Sequence, residues 1–147
     1  MTKNKIMLVH AHSGLRWLVL GLLIFAIYNA LAGKKSYDKK DKMINLFAMV
    51  SLHIQLLLGL ILYYTSGNVS FMEGWMKNPI TRFYGMEHLL GMLLAIVIVT
   101  IGRKMAEKKE SPEEKNKKIL VWYTIGLVLI IASIPWPFRE ALNGSWF

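Results

Sequence analysis

The sequence predicts an all-α fold, an integral-membrane, antiparallel four-helix bundle that forms one domain over residues 1–147. Three observations predict it. Hydrophobic residues make up 54% of the chain and the mean hydropathy is +0.39, although the net charge is +9. The apolar residues come in four blocks rather than along periodic faces, and a bilayer-spanning helix needs such a block of about 20 residues. The lysines are confined between the blocks, which is the pattern of a polytopic membrane protein.

The blocks lie at about 7–32, 43–65, 83–102 and 118–136, with connections at 33–42, 66–82 and 103–117. Connections this short make neighbouring helices antiparallel. The first block opens on "HAHSGLRW", residues 10–17, which sets two histidines and an arginine at the head of a long apolar run. It closes on Ala30-Leu31-Ala32, which has the small-residue spacing of a signal-peptidase site. Cleavage there would release the lysine-rich 33–42 stretch on the outside, against the positive-inside tendency, so a retained first helix is expected. The second block holds His53 and the third holds His88, whereas the fourth has no histidine.

Orientation follows from the basic residues. The 33–42 and 103–117 connections carry eleven lysines and arginines, against Lys3, Lys5, Lys77, Arg82 and Arg139 on the other side. Both termini are therefore expected outside. Trp75, Trp136 and Phe138 would form an outer aromatic belt, with Tyr28, Trp122 and Tyr123 near the inner one. The positive charge reads as loops beside anionic lipid headgroups, so the bilayer is the expected partner and nucleic acid is not. The chain has no cysteine. That excludes disulfides, cysteine-ligated iron–sulfur clusters and covalent c-type haem attachment.

Ionisable residues inside a membrane are candidates for function. A single histidine there more often makes an interhelical hydrogen bond, but here three helices each supply one. Measured from the charged flanks at about 1.5 Å per residue, His12 lies roughly 11 Å outside the midplane and His88 about 7 Å outside it. His53 falls near the centre. In a four-helix bundle the first and third helices face each other diagonally, so His12 and His88 could ligate a flat macrocycle from its two sides. Two neutral imidazoles suit a six-coordinate, low-spin haem iron. His53 is a substitute ligand or a group that steers one of the others.

Nearby residues add to this picture. Arg16 is four residues from His12 and so shares its face, where it could pair with a haem propionate or with Glu87. Gly85 and Gly91 lie one turn to either side of His88, which leaves room for a flat ring or for close helix packing. Ser51, Gln55 and Gly59 form a stripe on the second helix that reads as helix–helix hydrogen bonding and packing. Met7, His10 and His12 could resemble a copper-binding end. However, His10 and His12 point about 200° apart on a helix, which weakens that reading.

The stretches "HAHSGLRW", "LFAMVSLHIQLLLGLILYY", "MEHLLGMLLAIVIVTIGR" and "IPWPF" resemble a group of small bacterial four-helix membrane proteins known as cytochrome b or cytochrome-b-like. The resemblance covers most of the chain. It implies one non-covalent haem b near His12, His53 and His88, and it leaves open which two ligate the iron. It also implies the bacterial inner (cytoplasmic) membrane. Larger membrane cytochromes b hold two haems with histidine pairs stacked on the same helices. Here only the first helix has two histidines and they point apart, so one haem is expected.

The expected function is therefore an electron carrier or respiratory accessory subunit rather than a self-sufficient enzyme, with no catalytic residues assigned. Quinone and a larger membrane redox complex are its candidate partners. The alternative is a non-redox membrane component, either a copper or other metal permease or a structural subunit whose histidines only pack.

Overall fold

The computed structural model describes residues 3–33, 35–142 and 144–146. They form four long helices: α1 (Lys3–Ala32), α2 (Lys39–Thr65), α3 (Pro79–Glu107) and α4 (Pro112–Ser133). Two short 3₁₀ turns follow α2 and α4, at Trp75–Lys77 and Glu140–Leu142. Among the described residues there is no strand. All four helices are long and apolar enough to cross a membrane.

Every long helix starts or ends outside the limits that its apolar block predicts, because polar capping signals decide the ends. At the start of α2, the Asp38 carboxylate accepts from the Lys40 and Asp41 amides at 2.7 and 3.2 Å. Asp41 in return accepts from the Asp38 amide at 3.1 Å, which closes a capping box. Asn78 caps α3 and Ser111 caps α4, each followed by a proline whose missing N–H costs nothing at the first helical position. The fourth helix was expected to reach residue 136 but stops at Ser133. Ile134 precedes Pro135 and is extended (φ −77°, ψ 135°), as the proline ring demands of its predecessor.

The third helix contains one π-helical turn, Phe83–Glu87, immediately before His88. Such a turn adds a residue to the helical register and is common at functional sites.

The helix α1 packs on α2 and α4, and α3 packs on α4 and α2, so α1 and α3 are opposed across the core. Small residues let the backbones approach. Ala26, Ala48, Ala95 and Ala106 are buried beside Leu23, Val99 and Ile119. The outward faces are no less apolar: Leu18, Phe25, Phe47, Leu57, Val97 and Val128 are all exposed. An exposed apolar surface on every long helix is compatible with a membrane surrounding.

At the end of the core beside the α1–α2 connection, polar groups bond the helices together. The Asn116 amide donates to the Gly33 and Ser36 carbonyls at 2.6 and 2.7 Å. The Tyr37 hydroxyl donates to Glu107 at 3.0 Å and accepts from Asn45 at 3.2 Å. Tyr123, expected in an aromatic belt, is instead fully buried and donates to the Asn45 carbonyl at 2.7 Å. It lies on the core face of α4 rather than at the rim.

Candidate cofactor site

At the opposite end of the core, a cavity of about 230 Å3 lies between the helices. His12 and Arg16 reach it from α1, Gln55 and Gly59 from α2, and Tyr84 and His88 from α3. The segment 144–145 also borders it, after the chain has turned back beyond α4.

The His12 and His88 rings face each other with centroids 6.3 Å apart and planes at 72°. Two imidazoles bound to one metal through single nitrogens at about 2 Å would have centroids roughly 6–6.5 Å apart. Their planes could then take any angle about the shared axis. His88 is held in place by Ser133, whose carbonyl oxygen lies 2.7 Å from Nδ1. A carbonyl can only accept, so Nδ1 carries the proton and Nε2 keeps its lone pair. This is the tautomer of a metal-ligating histidine.

Gly91 contributes to that arrangement from behind. A Cβ built on Gly91 would collide with the Ser133 hydroxyl, so the glycine permits the α3–α4 approach that brings the Ser133 carbonyl to His88. The room that the sequence offers at Gly91 is thus filled by α4 and not by the cavity. Gly85 is buried beside Phe71 and Trp75, and its carbonyl accepts from Tyr63 at 2.9 Å. Neither glycine lines the cavity.

Close approach to a ring is instead provided by Gly59. A Cβ there would lie 3.1 Å from His12 Cε1 and 3.7 Å from Nδ1, tighter than ordinary contact. One turn earlier on α2, Gln55 donates to the His12 backbone carbonyl at 2.8 Å. Of the stripe that the sequence suggests for packing, Gln55 and Gly59 thus meet His12, whereas the Ser51 hydroxyl donates to the Ala48 carbonyl of its own helix at 3.0 Å.

Arg16 is 8% exposed. Its guanidinium donates through Nη2 to the Ser145 and Trp146 carbonyls at 3.2 and 2.7 Å, and it lies 5.3 and 5.7 Å from the Trp17 and Trp136 rings. The expected alternative partner, Glu87, is exposed and pairs with Arg82 at 2.7 Å. The π turn accounts for this, since it ends at Glu87 and directs Tyr84 and His88 to the cavity while Glu87 faces out. Among the described residues no carboxylate pairs with Arg16.

His53 stands apart. It is exposed, its Nδ1 bonds the Met49 carbonyl of its own helix at 2.8 Å, and it does not line the cavity. His10 is exposed as well. Among the described residues no group of three or more histidines and carboxylates converges on one point. The available donor set is two opposed imidazoles.

Three buried polar atoms around the cavity have no hydrogen-bond partner among the described residues: His12 Nδ1, Arg16 Nε and Gln55 Oε1. Buried polar groups are normally satisfied, so this cluster of exceptions makes the cavity the candidate site. Comparison with family models, curated proteins and solved structures finds no match for this chain. The reading of the site rests on its geometry.

The sequence alone gives no sign of Tyr84, Ser133 and the chain beyond α4, because a π turn, a backbone carbonyl and a returning segment leave no motif. Gln55 and Gly59 were visible as a stripe, and a match between that stripe and the His12 face would have assigned them.

Proposed function

We propose that this protein is a membrane-embedded b-type cytochrome that holds one non-covalent haem b between His12 and His88. One observation carries the reading: two imidazoles on opposed helices face each other across a cavity at 6.3 Å, the spacing of a shared metal axis. When bound, haem supplies a one-electron ferric/ferrous couple. The chain supplies everything else that sets its behaviour.

His88 presents Nε2 from a fixed position because Ser133 holds Nδ1. Arg16 contributes a buried positive charge with an unused Nε donor, which suits a carboxylate such as a propionate. Met92, Leu52, Ile130 and Ile134 provide an apolar lining that excludes water. The cavity is smaller than the roughly 300–1,000 Å3 of pockets that enclose drug-sized ligands, so a porphyrin must displace part of the lining. The stretches 66–69 and 144–145 border the cavity outside the four long helices and can give way at least cost to helix packing.

On this reading the four apolar helices span the bacterial inner membrane as an antiparallel bundle, with both termini and the haem toward the outer side. The basic connections lie at the inner surface. Electrons would pass between the haem and a quinol or a redox centre in a larger membrane complex. On this reading the protein is a carrier or subunit. The test is a reduced-minus-oxidised spectrum of the protein purified from haem-replete cells. A sharp α band with a shifted Soret band, in near-stoichiometric amount, is expected. A colourless protein that gains no such bands when titrated with haemin would refute the proposal.

A further inference from the structure

Two of the unpartnered atoms at the cavity are chemically complementary. His12 Nδ1 can donate a proton and Gln55 Oε1 can accept one, and both are buried. They belong to residues that already touch, since Gln55 Nε2 donates to the His12 carbonyl at 2.8 Å. A primary amide separates its oxygen and nitrogen by about 2 Å, so Oε1 lies within roughly 5 Å of the same carbonyl. The Cε1 corner of the ring faces α2, with Nδ1 slightly nearer than Nε2: a Cβ on Gly59, one turn beyond Gln55, would lie 3.7 Å from Nδ1 and 4.0 Å from Nε2.

We infer that Gln55 is the positioning residue for His12: its side-chain carbonyl takes the Nδ1 proton and leaves the Nε2 lone pair for the cavity. The terminal torsion of glutamine is broad and roughly two-fold, so the amide turns at little cost. Its short reach is then enough, and the two orphaned atoms satisfy each other. The two imidazoles are thereby held differently. His88 is fixed by a backbone carbonyl, which a substitution of Ser133 itself would leave in place, whereas His12 depends on one side chain. Gly59 keeps the ring close enough for this to work, since any Cβ there presses on Cε1. The metal-directed part of this inference rests on the proposed haem site, but the tautomer of His12 does not.

The experiment has two arms. In the first, the haem-free protein in detergent is labelled with ¹⁵N-histidine, and the tautomers of His12 and His88 are read by NMR. Both should carry the proton on Nδ1 in the wild type. In Gln55→Leu the His12 signals should move to the Nε2-protonated or a mixed form while those of His88 stay unchanged. Gln55→Glu, which keeps an acceptor, should retain the wild-type His12 form. An unchanged His12 tautomer in Gln55→Leu would overturn the inference. So would its loss in both variants, which would show that the bond to the His12 backbone, and not the acceptor, is what matters.

In the second arm the wild type and variants are loaded with haem at equal protein concentration. Gln55→Leu should hold haem about 10–100-fold more weakly, and Gln55→Glu should shift the midpoint potential downward because a carboxylate acceptor makes the imidazole more electron-rich. A wild type that takes up no haem defeats the proposed function, and the NMR arm still decides the role of Gln55.

Discussion

Around the α1–α2 connection, Asn116, Tyr37, Asn45 and Tyr123 each find hydrogen-bond partners that tie the helices together. Around the cavity, His12, Arg16 and Gln55 each keep a buried polar atom without one. The two ends use the same kind of residues in the same kind of helices. Among the described residues, Thr100 Oγ1 and Arg103 Nε are the exceptions to the contrast. A buried polar group costs free energy unless it is bonded; the connection end meets most of that need within the chain, whereas the cavity end leaves part of it unmet, as the proposed ligand site would. Substitutions should therefore separate into those that lower stability and those that lower cofactor retention.

The largest effect on the fold should come from Gly91→Leu. The added side chain must displace Ser133, and overpacking of this kind costs about 1–3 kcal/mol or more. Because the same displacement removes the carbonyl that holds His88, this variant should lose stability and haem together. Thermal unfolding in detergent and haem content measure the two effects. A variant that loses neither would show that α3 and α4 are not held as closely as described.

Next comes Asn116→Ala at the connection end. It removes both hydrogen bonds to the Gly33 and Ser36 carbonyls, at a cost of about 1–3 kcal/mol. Haem retention should not change. Its counterpart at the cavity end, Arg16→Leu, should change haem retention. It removes the hydrogen bonds to the Ser145 and Trp146 carbonyls, so some stability is lost as well, but the mark that sets it apart from Asn116→Ala is that the cofactor is held more weakly or at a shifted potential. Equal effects of the two substitutions on both readouts would erase the distinction between the ends.

A smaller effect separates the ends by pH. Burial pushes the Tyr37 hydroxyl up from 10.0 to about 12, with the hydrogen bond to Glu107 adding to the rise and the one from Asn45 opposing it. The folded state thus binds this proton more tightly than the unfolded one. Its contribution is complete below pH 10 and is lost as the pH rises toward 12. Unfolding temperature should fall over that window in the wild type and fall less in Tyr37→Phe. His53→Leu should be the least consequential change, with haem content and spectrum as in the wild type. The measurement is sensitive, because a ligating His53 would abolish the bands.

The four helices were legible because long apolar blocks and confined lysines leave few other folds. Helix ends were less so, since Asp38, Asn78 and Ser111 extend the helices into polar sequence that a hydropathy block does not cover. His12 and His88 came from the requirement that intramembrane histidines have partners. The reason for setting His53 aside, however, was depth, and depth is not what separates it. Gln55 bonds the His12 backbone, so His53, two residues away, differs from that height by only about 3 Å. Two residues turn a helix by about 200°, and this rotation puts Gln55 against His12 while His53 faces outward. Rotation about the axis, fixed by which neighbours a helix packs on, is what a single sequence conveys least.

The central claim is that His12 and His88 share one metal axis while His53 takes no part. Its most direct test replaces each of the three with alanine and records the reduced spectrum and haem content of the purified protein. Loss of low-spin haem in His12→Ala and in His88→Ala, with a wild-type spectrum in His53→Ala, is the predicted pattern. Haem lost from His53→Ala while His12→Ala keeps a six-coordinate spectrum would contradict it.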